Sequence, residues 1–414
     1  MPSQADLERN LKLYPWYSVA LESLFWAPVF ILLFSSRFSI AQVLQLEVIY
    51  YVAVVLLEVP SGYVSDRVGR KSTLMVAACL LAVAYAVFFL GDTFAVFVVA
   101  KVLMAAGFSF KSGTDASFHY DSHQALGRSS IFGDAEARVS SLNFRGAAGA
   151  ALLGGFAGMG NLSVPFALSA IASFVAMGIM ALCVEPTRSN ERTSSGFGAQ
   201  LGQTLGKLAD RNLRWLMGVA VLSIVLVHVP YEIYQPYVDM LSAERGMGPQ
   251  MSPLIAGLHA FVVMLIGSWV AGRSVAFRKR FGMRRTFLFS TLLQNLLILP
   301  AAIFLHPAVA FVLLLRNAPK GLYMAPLSAE VNDRIPTNLR ATYLSLQSLV
   351  GRLGFAGLLS MLSFTVGDGR VDWPALSRIS EFSFYVGITG WMILFLTARF
   401  VEENSIEAHH DSKQ

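Results

Sequence analysis

Acidic side chains and a histidine lie within long apolar stretches, where each could carry a proton. Glu22 sits near the middle of the first stretch. Because burial disfavours the charged form of a carboxylate, Glu22 could bind and release a proton during function. Its alternative role is a structural ion pair with Lys320 or Arg352. His228 and Glu232 are one helical turn apart on one face, which predicts a protonation pair or a substrate contact.

Basic side chains form a second group in these stretches. A charge at the centre of a bilayer costs at least ~2.5–3.5 kcal/mol, so these side chains should face a cavity or an acid. Lys111 and Asp115 could pair within one helix, or Asp115 could take part in proton coupling. Arg316 and Lys320 have the same spacing but like charges, so they need acids from other helices or an anionic ligand. The bases that we predict to bind substrate are Lys111, Arg145, Arg316, Lys320 and Arg352.

The balance of charge within the apolar stretches bears on the substrate. Six bases and four acids lie there, which favours an anionic or zwitterionic compound. Trp26 and Tyr231 could stack on it, although most aromatic residues of a membrane protein serve packing or interface anchoring. The sequence contains no phosphate-binding loop, no metal-ligand spacing and no catalytic constellation. It therefore predicts neither an enzyme nor a bound metal or cofactor.

These residues must be positioned by membrane-spanning helices. The chain is 55% hydrophobic and only 14% charged, whereas soluble domains carry roughly 25% charged residues. A span needs only ~20 apolar residues, so 414 residues can hold a dozen. The apolar stretches predict helices at 13–36, 41–61, 72–91, 94–118, 139–160, 163–183, 213–239, 252–273, 285–305, 308–332, 339–366 and 380–400.

A long polar linker divides the twelve predicted helices into two sets of six. The prediction is an N-terminal bundle at 1–183, a cytoplasmic linker at 184–212, a C-terminal bundle at 213–400 and a polar tail at 401–414. With both termini in the cytoplasm, 22 Lys and Arg residues of the loops lie on that side and four on the other. The positive-inside rule therefore predicts this orientation, in the plasma (inner) membrane. Basic residues in short loops are topology signals, so no nucleic-acid partner is expected.

The loop between the second and third predicted helices reads GYVSDRVGRK. It resembles the loop motif of the major facilitator superfamily. The resemblance implies an all-α integral membrane fold of twelve helices in two six-helix bundles. It also implies a conformational lock, in which Arg70 pairs with an acid at the end of the fourth helix, either Asp121 or Asp115. The lock residues are Gly62, Asp66, Arg67, Gly69, Arg70, Lys71 and Asp121.

The fifth helix carries the glycine-rich run GAAGAALLGGFAG, residues 146–158. This run is similar to the fifth helix of the bacterial drug–proton antiporter-like branch, although the Gly-Pro pair of that motif is absent. The resemblance favours proton-coupled export of a small organic compound by a monomer in the lipid bilayer. Alternatives are a proton-coupled uptake symporter for an organic anion, or a non-transporting sensor or lipid flippase of the same fold.

Overall fold

A computed structural model describes residues 2–128, 131–186, 197–335, 337–366 and 371–401 of the chain. Within these ranges the chain forms α-helices and connecting turns, without β-strands. The first part contains α1 (Gln4–Glu22), α2 (Phe30–Ser35), α3 (Ile40–Val68), α4 (Arg70–Leu90), α5 (Phe94–Lys111), α6 (Thr114–Ala125), α7 (Phe132–Gly158) and α8 (Val164–Ala181).

The second part begins with a short helix inside the linker. It contains α9 (Phe197–Lys207), α10 (Arg211–Glu244), α11 (Met251–Ala271), α12 (Ser274–Phe281), α13 (Met283–Leu296), α14 (Leu299–Ile303), α15 (Pro307–Leu313), α16 (Ala318–Arg334), α17 (Thr337–Val366) and α18 (Trp373–Ala398). The linker residues 187–196 and the tail beyond residue 401 lie outside the described part of the chain.

All twelve predicted helices are present, but four of them are broken into two. The first ends at Glu22 and resumes at Phe30, because Pro28 lacks an amide hydrogen and disfavours helical backbone at the residue before it. Gly113, with φ of 72°, separates α5 from α6. Pro300 and Pro319 lie in the first turns of α14 and α16, where proline is tolerated.

Nine helical segments of the described residues are long and apolar enough to cross a membrane. The predicted helices at 13–36, 139–160 and 308–332 do not meet this criterion. The first and third are broken and carry charges, and the second carries Arg145 and many glycines, which contribute little hydropathy. The helices with the weakest apolar character are therefore those that carry Glu22, Arg145 and Arg316.

The helices pack around two hydrophobic cores. One joins α1 to α8 around the rings of Phe34, Phe88, Phe97 and Phe166. The other surrounds α10, which crosses the second part of the chain and packs against α17, α18 and α13. Contacts between the two sets run mainly from α3 to α17 and from α7 to α11.

One group of these contacts lies at one end of the molecule. Gln235 of α10 accepts a hydrogen bond from the Ile31 amide (2.9 Å) and donates one to the Ala27 carbonyl (3.0 Å). Both backbone groups are available because the first predicted helix breaks there. The start of α3 and the end of α7 lie at this same end, opposite the 62–71 loop. We call it the closed end.

Candidate functional site

A cavity of about 300 Å³ lies between the two helix sets, on the loop side of the closed end. Its walls come from the break after α1 and from α7, α10, α11 and the start of α16. Small apolar side chains such as Ala147, Ala151 and Ala260 form much of the lining. Glu22 and Arg316 bring opposite charges to this lining. The cavity thus combines apolar walls with a few polar groups, as small-molecule sites do.

Glu22 meets Lys111 on the N-terminal side of the cavity. The Lys111 ammonium contacts Glu22 Oε1 and lies 3.9 Å from Asp115 Oδ2. Since α1 ends at Glu22 and α5 ends at Lys111, the two helix ends bring the side chains together. Lys320 and Arg352 were predicted as ion-pair partners of Glu22, and that prediction is therefore wrong. Two carboxylates share one ammonium group here, which leaves a formal charge of −1 when all three are ionised.

Arg316 lies on the opposite side of the cavity and is 4% exposed. Its Nη1 donates to Nδ1 of His259 (2.6 Å), and the guanidinium carbon lies 3.9 Å from the centre of the Tyr234 ring. His259 Nε2 donates to the Ala310 carbonyl (2.9 Å), which leaves Nδ1 as an acceptor. Among the described residues, no carboxylate lies within 4 Å of Arg316.

The other basic residues that were predicted to bind substrate do not line the same cavity wall as Arg316. Arg352 pairs with Glu58 of α3 at 2.9 Å and is not part of this cavity's lining. Lys320 is exposed, and its positive charge lies within electrostatic reach of His228. Arg145 is exposed, donates to Ser141 Oγ (3.4 Å) and is not part of this cavity's lining. One base, rather than a contiguous basic surface, therefore faces the cavity from the C-terminal helices.

His228 and Glu232 do not contact each other, although they share a helix face. His228 Nδ1 donates to the Ile224 carbonyl (2.6 Å), and its ring packs against Tyr51 and Phe355. Glu232 turns towards the N-terminal helices, where it experiences the charges of Glu47 and Lys101. The predicted protonation pair is wrong, because contacts with neighbouring helices direct the two side chains differently.

The two aromatic residues that were predicted to stack on the substrate lie in different places. Tyr231 lines the cavity, as predicted for a residue that meets substrate. Trp26 is 8% exposed and packs against Phe30, Tyr85 and Phe166 in the N-terminal core. The expectation that Trp26 lies at the cavity is therefore wrong for this cavity.

The loop motif organises the junction between α3 and α4. Arg70 Nε donates to Asp121 Oδ2 at 2.6 Å, which selects Asp121 over Asp115 as its partner. Glu185 caps the start of α4, because its carboxylate accepts hydrogen bonds from the amides of Arg70 and Lys71, each at 2.8 Å. Sequence reasoning missed Glu185, which lies 115 residues away from Arg70.

Four further motif residues surround this junction. Lys71 Nζ donates to the Ala181 carbonyl at 3.0 Å, and Arg67 is exposed. Gly62 and Asp66 lie on α3, but the surroundings of Gly62 and the side chain of Asp66 are outside the described part of the structure, so the proposed contact of Asp66 with the start of α17 stays a prediction.

Gly69 is required by both its backbone and its surroundings. Its φ of 118° and ψ of 148° fall in a region that only glycine populates readily, and a Cβ would lie 3.0 Å from Glu185 Oε2. We expect Gly69→Ala to destabilise the protein by about 1–3 kcal/mol, measured by thermal unfolding in detergent.

Gly113→Ala is the matched control for this prediction. Gly113 also has positive φ, but nothing lies within 4 Å of a Cβ built there. The same unfolding temperature for the two alanine variants would show that Gly69 is no more constrained than Gly113.

The fold and cavity together define a polytopic membrane transporter whose site lies between two sets of helices. The chain belongs to the Major Facilitator Superfamily, since the sequence profile of that family matches residues 16–358. It is a multi-pass membrane protein and a transporter of the secondary kind. A search of curated proteins gave no match.

Solved transporter structures share this fold at low sequence identity. The nucleoside transporter NupG superposes with a TM-score of 0.73 at 12% identity, covering 95% of this chain and 99% of NupG. A D-xylose–proton symporter superposes with a TM-score of 0.68 at 14% identity, covering 97% of this chain and 99% of the symporter. A bacterial homologue of the human lysosomal transporter Spinster, in an inward-facing and unoccupied conformation, has a TM-score of 0.66 at 16% identity. The superposition covers 97% of this chain and 96% of the homologue.

Proposed function

We propose that this protein exports a small anionic or zwitterionic organic compound by alternating access, in exchange for protons. The observation that carries the proposal is the pair of opposed charges in the cavity, Glu22 on one side and Arg316 on the other. Export agrees with the similarity of the loop motif and of the fifth-helix glycines to the drug–proton antiporter-like branch. The protein would act as a monomer in the inner membrane, with both termini in the cytoplasm.

The walls of the cavity favour particular substrate groups. Arg316 can receive a carboxylate, phosphate or sulfonate, because its buried guanidinium has no carboxylate within 4 Å among the described residues. On the other side, the formal −1 of Glu22, Lys111 and Asp115 can receive an amine or a proton. Tyr231 and the alanines between them provide an apolar surface. A compact zwitterion with an apolar body fits a volume of about 300 Å³.

Protons and substrate would compete at the acidic side of the cavity. Glu22 and Asp115 share Lys111, so an added proton neutralises this cluster and weakens its hold on an amine. Glu22 is the more accessible acid, with a side chain 30% exposed. Binding of a proton would then favour release of the substrate, which is the exchange that an antiporter requires. Glu232 is the third proposed acid, away from the substrate.

The closed end defines the conformation. In the proposed orientation it faces outward, so the structure corresponds to an inward-facing state, with the cavity on the cytoplasmic side. The pair of Arg70 and Asp121, which is formed in this structure, would together with the rest of the loop motif form the lock that holds the outward-closed state. Gly62, Asp66, Arg67, Gly69 and Lys71 complete that proposed lock.

A second candidate is uptake of an organic anion together with protons. It is favoured by Arg316 and Lys320, which lack a carboxylate within 4 Å in the described part of the chain. In this alternative the anion binds Arg316, and a proton on Glu22 balances its charge. Binding of the proton and the anion would then be cooperative instead of competitive.

A ligand screen with counterflow tests the proposal. Purified protein is screened by thermal shift against zwitterionic, anionic and cationic compounds of similar size, and the hits are tested for counterflow in proteoliposomes. We expect zwitterionic or anionic hits that exchange across the membrane, and among them the compounds with an amine should bind more weakly at acidic pH. Hits confined to cations would contradict the proposed substrate class, and tighter binding at acidic pH would favour uptake.

A further inference from the structure

The closed end contains three buried charges that the cavity does not use. Glu47 of α3 is 3% exposed, Lys101 of α5 is 2% exposed and Glu232 of α10 is 8% exposed. Glu47 and Lys101 form an ion pair at 2.5 Å within the N-terminal helices. Glu232 comes from the C-terminal helices and experiences both of these charges. The three residues form the Glu47–Lys101–Glu232 cluster, which spans the contact between the two sets.

Aromatic rings enclose the ammonium group of Lys101. Its Nζ lies 5.5 Å from the ring centre of Phe30, 5.0 Å from that of Phe34 and 5.3 Å from that of Tyr50. Such contacts stabilise a desolvated cation but supply no anion. Lys101 is therefore held in place on the N-terminal side, with Glu47 as its ion-pair partner.

Glu232 has no comparable partner. Its Oε2 atom is buried and makes no hydrogen bond within the described part of the chain. The ionisable groups that face it are Glu47 and Tyr51 of α3 and Lys101 of α5, with Tyr231 and Tyr234 on its own helix.

The remaining surroundings of Glu232 are apolar. It lines a cavity of about 20 Å³, closed by side chains of α2, α3, α17 and α18 such as Ile31, Phe355 and Ile379. This volume holds about one water molecule. A single water could therefore reach the carboxyl group, while bulk solvent is excluded.

We propose that the Glu47–Lys101–Glu232 cluster binds one proton, and that this proton is required to close the end of the transporter at which the two helix sets meet. Two ionised carboxylates beside one ammonium would leave a net negative charge in apolar surroundings. An uncompensated buried charge is strongly unfavourable, whereas two carboxylates that share one site readily retain a proton. The inference goes beyond the proposed function, because this proton governs closure, whereas Glu22 and Asp115 carry the proton that is exchanged for substrate.

Separation of the helix sets explains how the proton is released. When the closed end opens, α10 carries Glu232 away from Glu47 and Lys101, which stay together as a neutral pair. Water then reaches Glu232, and its carboxyl group can lose the proton. In the proposed orientation, a proton from outside binds Glu232 before the outer end closes. Because this proton returns to the outside when that end reopens, the cluster makes closure depend on the outside pH and carries no net proton across the membrane.

Infrared spectroscopy of the purified, full-length protein in lipid tests this inference without a substrate. A protonated carboxyl group has a C=O stretching band that is distinct from carboxylate bands. We expect Glu232→Gln to remove one component of this band from the wild-type spectrum. Glu47→Gln should remove the same component, because Lys101 would then neutralise Glu232 directly. Lys101→Met should instead about double it, since both acids would hold protons without the ammonium.

Glu244→Gln is the matched control, because Glu244 is an exposed carboxylate at the end of the same helix and should leave the component unchanged. If Glu232→Gln does not reach the membrane, Glu47→Gln and Lys101→Met still give opposite expected changes. An unchanged band in both glutamine variants overturns the inference, even if transport is driven by protons. A band that behaves as expected in a protein without proton-driven transport would overturn the proposed function and leave the proton site intact.

Discussion

Arg316→Gln is expected to weaken substrate binding by roughly 10- to 100-fold. The guanidinium is buried, lies over Tyr234 and faces the cavity without a carboxylate within 4 Å among the described residues. A hydrogen bond to a charged group contributes about 1.5–3 kcal/mol, and glutamine removes the charge from it. Binding of an anionic or zwitterionic compound is measured by thermal shift or calorimetry, on protein that is verified to be folded.

Two further substitutions define how this result is interpreted. Arg145→Gln removes an exposed base that lies outside the cavity lining, so it should change affinity little. Arg316→Lys keeps the charge but loses the planar group on Tyr234, so affinity should fall between wild type and Arg316→Gln. Equal affinities of wild type and Arg316→Gln would refute the anion-binding role.

Gly155→Val is expected to abolish transport by preventing closure. A Cβ on Gly155 would lie 2.6 Å from the Pro253 carbonyl oxygen and 2.9 Å from Gly257 Cα, so α7 and α11 could no longer touch. Overpacking costs about 1–3 kcal/mol, which shifts a conformational equilibrium roughly 5- to 150-fold towards the open form. The glycines of the fifth predicted helix thus serve close contact between the two helix sets.

The conformational effect is measured with spin labels at the closed end. Asn161 and Gln250 line a cavity there from the two sets and can be replaced by cysteine, after removal of the exposed Cys79. Gly155→Val should lengthen the distance between the labels. Gly149→Val lies on the same helix, has nothing within 4 Å of the added Cβ and should behave as wild type. Unchanged distances in Gly155→Val would contradict closure at this contact.

The fold could be predicted because its signals are local. Each apolar stretch is bounded by charges or turn residues, and the GYVSDRVGRK loop fits one position between helices. The break at Pro28 was missed because Pro28 lies within a stretch that remains apolar on both sides. Hydropathy reports that a segment is apolar, but it does not report whether its backbone is continuous.

The candidate site was predicted in part, since pairings between helices depend on where each helix ends and how it is rotated. Glu22 meets Lys111 because two helix ends coincide, which no spacing in the sequence encodes. The spacing of His228 and Glu232 correctly places them on one face, but no contact joins them, because the His228 ring packs against Tyr51 and Phe355. His259 was missed because a single histidine in an apolar helix gives no sign of Arg316, 57 residues away.

Flux in proteoliposomes under an imposed pH gradient tests whether the protein exchanges its substrate for protons. A compound identified by the screen is loaded at equal concentration on both sides of the membrane, and the lumen is made acidic relative to the outside. Transporters whose cytoplasmic face is outward should concentrate the compound in the lumen as protons leave, and dissipating the gradient should abolish this accumulation. Movement that only equalises concentrations, whatever the gradient, would contradict proton-coupled secondary transport, and accumulation only under the opposite gradient would contradict exchange.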